Sequence, residues 1–277
     1  MLLKKNSFKS SRGIQLATYY KSSVAPESTK AILLCHGYAE YVDRYRSFID
    51  RLSKEGFHIF TLDHQGHGRS DGLRAYIPSF DHLVEDVTDW LRDLRAQHPA
   101  YEWYVFGHSM GGGIALDVTL RNQDHIKALV LSGPLIQLPN TVPLPVQWIG
   151  RLLAKIFPKL PVVPVDFDLI SRDPDVVRIY KEDPLVYSGN VRARTAIELD
   201  RFSKRIQGRL SELHVPFWVG HGSLDRITDP IGSFLLHQKA SSVDKTHKVY
   251  HGLFHEILNE PEGQVVMHDI MLWLSKH

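Results

Sequence analysis

A serine stands between glycines in residues 105–113, which read Val-Phe-Gly-His-Ser-Met-Gly-Gly-Gly. Residues 107–111 match the G-x-S-x-G pattern, in which the serine occupies a sharp turn from a strand into a helix. A Cβ at either outer glycine would collide with the neighbouring strand or helix. The pattern predicts that the Ser109 hydroxyl is an exposed nucleophile. It also predicts that the Met110 N–H, at a helix N-terminus, stabilises a developing oxyanion.

The segments on either side of this serine have the composition that the motif requires. Residues 101–106 (YEWYVF) are aromatic and β-branched, which is typical of a strand. Residues 114–120 (IALDVTL) carry apolar side chains at helical spacing. The alternative is a plain glycine-rich turn, and the bare five-residue pattern is common enough to allow it. The strand–turn–helix context favours the nucleophile.

A serine alcohol is a poor nucleophile until a histidine takes its proton, and a carboxylate must orient that histidine. In folds with this turn the chain order is serine, acid, histidine. Asp225 follows a strand predicted at residues 216–220 and is our candidate for the acid. Asp229 is the alternative, but it directly precedes Pro230, as is typical of a helix cap.

Two histidines, His251 and His255, follow the last predicted strand at residues 248–250. Gly252 gives the intervening loop freedom to turn, which makes His255 the better placed base. The chain has 16 histidines, so most must be structural. Position and chain order therefore select His255, rather than residue type.

The second oxyanion donor should come from the loop after the strand predicted at residues 31–35. We assign it to the N–H of Tyr38, in the His-Gly-Tyr stretch that occupies this place. Asp63, His64 and His67 raise the alternative of a metal site, but they lack a ligand set with metal-site spacing. A histidine- and glycine-rich turn in such a fold usually braces the active-site loop, so we expect no metal.

Strands alternate with helices in the manner of a doubly wound, mostly parallel sheet. An N-terminal hairpin is predicted at residues 7–10 and 14–20. Further strands are predicted at 31–35, 58–62, 101–106, 126–132, 216–220 and 248–250, and helices at 44–55, 80–98, 114–120, 230–240 and 264–277.

The alternation stops at residue 134, in a stretch rich in proline and apolar residues with no clear strand. An insertion there would cover the carboxyl ends of the strands, where ligands bind in open α/β sheets. We therefore predict a core of residues 1–133 and 206–277, with residues 134–205 forming a helical cap after the sixth strand.

Polar or basic side chains recur at every fourth position of residues 144–160, which places them in one stripe on a helix. The remaining surface is broadly apolar, which suits the plane of a membrane interface. The alternative is that the apolar residues pack on the main domain, in a helix that Pro143, Pro145 and Pro158 keep short. The stripe consists of Gln147, Arg151, Lys155 and Lys159.

Composition excludes several other classes of protein. The 277 residues carry a net charge of +2, which gives no reason to expect nucleic acid as a partner. One cysteine, Cys35, rules out an internal disulfide and suits a reducing compartment. We find neither a signal peptide nor an apolar run of the roughly 18 residues that a membrane span needs. These features predict a cytoplasmic protein whose membrane contact, if any, is peripheral.

Five separated motifs occur in the order of one known family: HGYAEYVDRY, LDHQGHGRSDG, GHSMGGG, HGSLD and a final Gly-x-x-His-Glu. From about residue 30 to the C-terminus the chain resembles the monoacylglycerol lipase family of α/β-hydrolases. It departs from relatives at Tyr41, where histidine is frequent, and at Leu258, where some have a polar residue.

The resemblance implies a serine carboxylester hydrolase that releases a fatty acid and glycerol from monoacylglycerol through an acyl-enzyme, without metal or organic cofactor. Alternatives on the same scaffold are a lysophospholipase or general carboxylesterase and, with less support, an aminopeptidase or a non-catalytic ligand receptor. It implies a triad of Ser109, Asp225 and His255, oxyanion donors at Tyr38 and Met110, and head-group contacts from Glu40, Arg44 and Tyr180.

Overall fold

A computed structural model describes residues 3–139 and 154–277 of the chain. Its strands are β1 Lys4–Lys9, β2 Gln15–Lys21, β3 Lys30–Cys35, β4 His58–Leu62, β5 Glu102–His108, β6 Ile126–Ser132, β7 Pro161–Val163, β8 Val191–Arg192, β9 Phe217–Gly222 and β10 Lys245–Tyr250. Eight of them form a central sheet of order β1-β2-β4-β3-β5-β6-β9-β10, and β7 and β8 form a separate two-stranded sheet.

Only the first strands of the large sheet are antiparallel. β2 pairs antiparallel with β1 and β4, whereas every pairing from β4 to β10 is parallel. The prediction of a doubly wound, mostly parallel sheet is therefore confirmed. The complete α-helices in the described residues are α1 Arg46–Lys54, α2 Phe80–Gln97, α3 Met110–Arg121, α4 Pro174–Glu182, α5 Ala193–Gln207, α6 Ile231–Lys239 and α7 Gly263–Leu274.

Helices cover both faces of the sheet, and alternate residues of each central strand point to opposite faces. Leu33 of β3 packs in the cluster that contains α2 and α3, whereas Leu34 packs in the cluster that contains α1 and α7. Burial on both sides explains why β3 reads as a continuous apolar run rather than an alternating one.

Three local predictions need correction. Residues 44–55 are not one helix, because a 3-10 turn at Val42–Tyr45 precedes α1. β10 begins at Lys245 rather than residue 248, and its half-exposed position at the sheet edge explains why its first residues are not apolar. The stretch after residue 134 does contain strands, namely the short β7 and β8.

The predicted cap region packs on the loop that follows β3. The side chain of Tyr41 joins a small apolar cluster of this region, which includes Phe167 and Tyr180. The Tyr41 hydroxyl donates to Asp183 at 2.7 Å, and the Tyr187 N–H donates to the Ala39 carbonyl at 2.9 Å. Loop and cap region thus share both an apolar contact and hydrogen bonds.

The proposed boundary near residue 205 stays a prediction, since α5 runs across it to Gln207. The middle of this helix is attached to the main body, because Phe202 stacks on Phe80 of α2 with ring centroids 3.7 Å apart. Most of the helix predicted at residues 144–160, including Gln147 and Arg151, lies outside the described residues. None of the described helices is long and apolar enough to cross a bilayer.

The turn between β5 and α3 depends on extremely close packing. Ser109 has φ 54° and ψ −122°, a conformation that non-glycine residues rarely adopt. A Cβ added at Gly111 would lie 2.2 Å from the carbonyl oxygen of Cys35 and 2.3 Å from that of His36. The first turn of α3 therefore lies directly against the end of β3, and only glycine fits at this contact.

This contact predicts a large effect of one methyl group. Gly111→Ala should lower the free energy of unfolding by about 3 kcal/mol or more, because backbone rather than a flexible side chain must move. The control is Gly208→Ala at the end of α5, where φ is −74° and the nearest atom to a Cβ is 3.4 Å away. We expect a change of at most about 1 kcal/mol there. Urea denaturation of both variants measures the difference, and equal stabilities would contradict the packing argument.

Candidate active site

Ser109 is held in place by its own backbone. Its N–H donates to the Ser132 carbonyl at 3.0 Å, and its carbonyl accepts from the Leu135 N–H at 2.8 Å. Ser132 is the last residue of β6 and Leu135 follows the strand, so the serine is fixed against the neighbouring strand end. The side chain is largely buried but not sealed, with 8% of the residue exposed.

Asp225 and His255 come together from two separate loops, one after β9 and one after β10. His255 Nδ1 lies 2.7 Å from Asp225 Oδ2. An ionised carboxylate can only accept hydrogen bonds, so Nδ1 carries the proton and Nε2 is the basic nitrogen of the ring. Among the described residues no hydrogen bond joins Nε2 to the Ser109 hydroxyl, a contact that often tightens only when substrate binds.

The pKa values of the pair move in the directions that general-base chemistry needs. Burial raises the pKa of Asp225, but the charge of His255 and the hydrogen bonds from His221 and His255 outweigh it and hold the pKa well below its usual range. Burial lowers the pKa of His255, yet the adjacent Asp225 carboxylate brings the net pKa above the ordinary value. Asp225 is therefore ionised at neutral pH and stabilises an imidazolium on His255.

Gly133 is the point where the three predicted triad residues converge. It has φ +48°, and a Cβ there would lie 3.5 Å from both Asp225 Oδ2 and His255 Nδ1. Gly133 directly follows Ser132, to which the Ser109 N–H is bonded. The structure thus brings Ser109, Asp225 and His255 around one short segment of backbone.

The two alternatives considered from the sequence have other surroundings. Asp229 accepts the Ile231 N–H at 3.0 Å and the Gln137 side-chain amide at 3.2 Å, which places it at the start of α6. This is the cap-like environment that the following proline indicated. His251 is exposed, whereas His255 is buried.

The predicted oxyanion donors come from two segments that both approach the serine. Met110 begins α3, and the first N–H groups of a helix have no intrahelical acceptor. A Cβ on Gly37 would lie 3.3 Å from the Ser109 Cβ, so the loop carrying Tyr38 passes close to the nucleophile. The Tyr38 hydroxyl donates to the Ala75 carbonyl at 2.9 Å and anchors that loop.

Glu40, Arg44 and Tyr180, the three head-group residues that the resemblance implies, meet beside the same loop. Arg44 Nε donates to Glu40 Oε2 at 3.0 Å, and the Arg44 guanidinium carbon lies 4.4 Å from the centre of the Tyr180 ring. Glu40 Oε1 accepts the Gly37 N–H at 2.6 Å and the Tyr45 hydroxyl at 2.5 Å. Glu40 therefore bonds directly to the turn that faces the nucleophile.

Glu256 is a member of this cluster that the sequence analysis missed. It pairs with Arg44 and accepts the Asn259 side-chain amide at 2.8 Å. Burial raises the pKa of Glu40, and the nearby charge of Glu256 raises it further. Its position directly after His255 was the available signal, because a residue adjacent to the base must lie near the site.

The histidines that suggested a metal site form a packed brace. The His36 ring centroid lies 4.4 Å from that of His64 and 5.5 Å from that of His67. Burial lowers the pKa of His36 to about 4 and that of His67 to about 3, so both are neutral at pH 7. Within residues 3–139 and 154–277, no three histidine, cysteine or acidic side chains are arranged to hold a metal ion.

Sequence comparison places this geometry among known proteins. Residues 26–262 match the family described as Serine aminopeptidase, S33. The chain is 38% identical to a monoacylglycerol lipase of Mycolicibacterium smegmatis, over 89% of this chain and 88% of that one. It is 32% identical to the Homo sapiens monoglyceride lipase, over 93% and 86% of the two chains.

Comparison with solved structures also finds a monoglyceride lipase. A soluble variant of the Saccharomyces cerevisiae monoglyceride lipase, solved in complex with a substrate analog, superposes with a TM-score of 0.89. The two chains are 26% identical, and the superposition covers 100% of this chain and 95% of that one.

We expect substitutions of Asp225 and Asp229 to have very different effects on kcat. Asp225→Asn should keep the fold but lower kcat by about 10⁴-fold, because the imidazole loses its tautomer and its charge partner. The matched control Asp229→Asn should change kcat by no more than a few fold. Hydrolysis of p-nitrophenyl butyrate, with circular dichroism to verify folding, measures both. The reverse ranking would move the role of the acid to Asp229.

Proposed function

This chain belongs to the Serine aminopeptidase, S33 family of α/β-hydrolases, and we propose that within this family it hydrolyses monoacylglycerols through an acyl-enzyme on Ser109. The observation that carries the proposal is the 2.7 Å pair of His255 and Asp225, held on the same backbone segment that fixes Ser109. The relatives named monoacylglycerol and monoglyceride lipase support the choice of substrate.

The proposed reaction has two halves. His255 Nε2 takes the Ser109 proton while the serine oxygen bonds to the ester carbonyl carbon, and the N–H groups of Tyr38 and Met110 stabilise the resulting oxyanion. The tetrahedral intermediate collapses, and its C–O bond breaks as His255 returns the proton to the leaving glycerol oxygen. Water, deprotonated by His255, then attacks the acyl-enzyme and releases the fatty acid. These steps require no metal or organic cofactor.

We assign the glycerol end of the substrate to the cluster around Arg44. Its carboxylates and guanidinium offer both acceptors and donors, which is what a group with two hydroxyls requires. The hydrogen bond that the Gly37 N–H donates to Glu40 supports a position of this cluster beside the reacting ester. Leu258, one of the departures from the family, packs in the core beside α7, so it adds no polar group to the head-group site.

A lysophospholipase or another carboxylesterase would use the same triad, so substrate choice must be measured. An aminopeptidase requires an acidic group for the substrate ammonium. Glu40 and Glu256 are carboxylates close to the nucleophile loop, but the positive charge of Arg44, which bonds to both, reduces their attraction for an ammonium while leaving oxygen lone pairs for neutral hydroxyls. A ligand receptor without turnover is the remaining alternative, and a single turnover assay separates it from an enzyme.

Ser109→Ala should fold normally and lose monoacylglycerol hydrolysis by about 10⁴-fold or more, as triad removal does elsewhere. A serine-directed phosphonate should label the parent protein at one site and leave this variant unlabelled. Parallel assays with a lysophospholipid and an aminoacyl p-nitroanilide provide the comparison. Faster turnover of either compound, or labelling that persists in Ser109→Ala, would overturn the assignment.

We also propose that the cap region contacts the lipid surface from which the substrate comes. Ile156 and Phe157 are large apolar residues with 57% and 59% of their surface exposed. Lys155 and Lys159, two members of the predicted basic stripe, are exposed beside them. Exposed apolar side chains next to lysines suit the interface of an anionic membrane.

Replacing Arg151, Lys155 and Lys159 together by glutamate should weaken binding to anionic vesicles and lower activity on dispersed monoacylglycerol. Activity on soluble p-nitrophenyl butyrate should survive. A control with the same charge change reverses Lys4, Lys5 and Lys9, which are exposed on β1. Vesicle sedimentation and the two assays measure the effects. An equal loss on both substrates would mean that the stripe is structural.

A further inference from the structure

Asp225 has a second histidine partner, which the reaction described above does not use. His221 is the second-last residue of β9 and is fully buried, and its Nε2 is 3.0 Å from Asp225 Oδ2. This is the oxygen that also binds His255 Nδ1. Two imidazoles therefore compete for one carboxylate oxygen.

The hydrogen bonds define the proton position on His221. Because the ionised Asp225 oxygen can only accept, His221 Nε2 must carry a proton and donate it. The other ring nitrogen, Nδ1, lies 2.7 Å from the hydroxyl of Ser233 on α6. In the neutral ring Nδ1 accepts that hydroxyl proton, so Ser233 favours the tautomer in which Nε2 is the donor.

Both oxygens of the Asp225 carboxylate have several hydrogen-bond partners. Oδ1 accepts the N–H groups of Ile227 at 2.8 Å and Thr228 at 3.0 Å. Oδ2 has the Thr228 hydroxyl at 2.9 Å in addition to the two histidines. This arrangement fixes the plane of the carboxylate, and each donor on Oδ2 withdraws negative charge from the His255 bond.

We propose that His221 is a positioning residue of the hydrolase: held in its donor tautomer by Ser233, it keeps Asp225 Oδ2 on His255 and makes that oxygen less basic. It thereby sets the pH range over which His255 can accept the serine proton. The inference rests on the proposed function only in taking Ser109, Asp225 and His255 as the triad.

Other charged and titratable groups face the two histidines and remain unchanged in the test. A shift on replacing His221 therefore reports its own contribution. The groups around His255 are Asp225, Glu256, Glu40 and the His108 ring, and Arg44 lies beyond them. The titratable group near His221, besides Asp225 and His255, is His247 on β10.

Three variants separate donation from packing. His221→Leu removes the donor, His221→Gln keeps an N–H donor, and Ser233→Ala removes only the group that favours the tautomer. Without the donor, Asp225 Oδ2 becomes more basic and stabilises the imidazolium of His255. The acid limb of the pH profile of kcat/KM should then move up by about one pH unit in His221→Leu.

The other two variants should shift the limb less. His221→Gln should restore most of the parental profile, and Ser233→Ala should move it a little in the same direction as His221→Leu. The substrate is p-nitrophenyl butyrate, and the downfield proton resonance of His255 Nδ1–H, followed against pH, gives a second readout that needs no turnover. Its midpoint should move with the kinetic limb.

A structural role alone would give a different pattern. If kcat and the melting temperature fall together in His221→Leu while the acid limb and the Nδ1–H titration stay in place, the proposal is wrong. If His221→Leu does not fold, an unshifted titration of the His255 Nδ1–H in Ser233→Ala would likewise show that the proposal is wrong. Failure of the proposed function is seen separately, as absent monoacylglycerol turnover alongside Ser109-dependent hydrolysis of p-nitrophenyl butyrate.

Discussion

The contact between the first turn of α3 and the end of β3 is the constraint on which the site depends. A Cβ on Gly111 would lie within 2.3 Å of two backbone carbonyl oxygens, so helix and strand are as close as backbones can be. At this contact Ser109 has a positive φ of 54°, and the loop carrying Tyr38 passes close to the serine. Local strain of about 1–3 kcal/mol at such a residue persists only because the surrounding sheet is rigid.

The site also requires a buried carboxylate, and hydrogen bonds rather than solvent stabilise its charge. An isolated charge at the position of Asp225 would be strongly disfavoured. Backbone N–H groups, a hydroxyl and two imidazoles surround it, and its pKa is depressed despite burial. Glu40 has a different balance: it shares Arg44 with Glu256, and its pKa is raised. The pKa values of these two buried acids are thus shifted in opposite directions by their surroundings.

The sequence contained enough information for the sheet and for the residues that must follow strand ends. Buried strands such as β3 are continuous apolar runs, and the G-x-S-x-G pattern has a fixed structural context. Edge elements were harder: β10 starts in polar residues because one side has no neighbouring strand, and β7 and β8 are too short for periodicity to appear. The role of Glu256 was missed although its place after His255 was a signal, because its partner Arg44 is 212 positions away in the chain. The role of His221 was missed because its bonds to Asp225 and Ser233 depend on where a buried strand side chain points, which the sequence does not show.

Tyr41 shows how one departure from a family pattern is resolved in three dimensions. Its backbone belongs to the loop that carries Tyr38, whereas its ring packs with Phe167 and its hydroxyl binds Asp183. A histidine at this position would have a shorter side chain, with its polar atoms closer to the backbone than the tyrosine hydroxyl is. The tyrosine instead makes the loop beside the nucleophile and the apolar cluster of the cap region one packed unit. The proposed cap and the loop that carries the proposed oxyanion donor Tyr38 are therefore joined through one side chain.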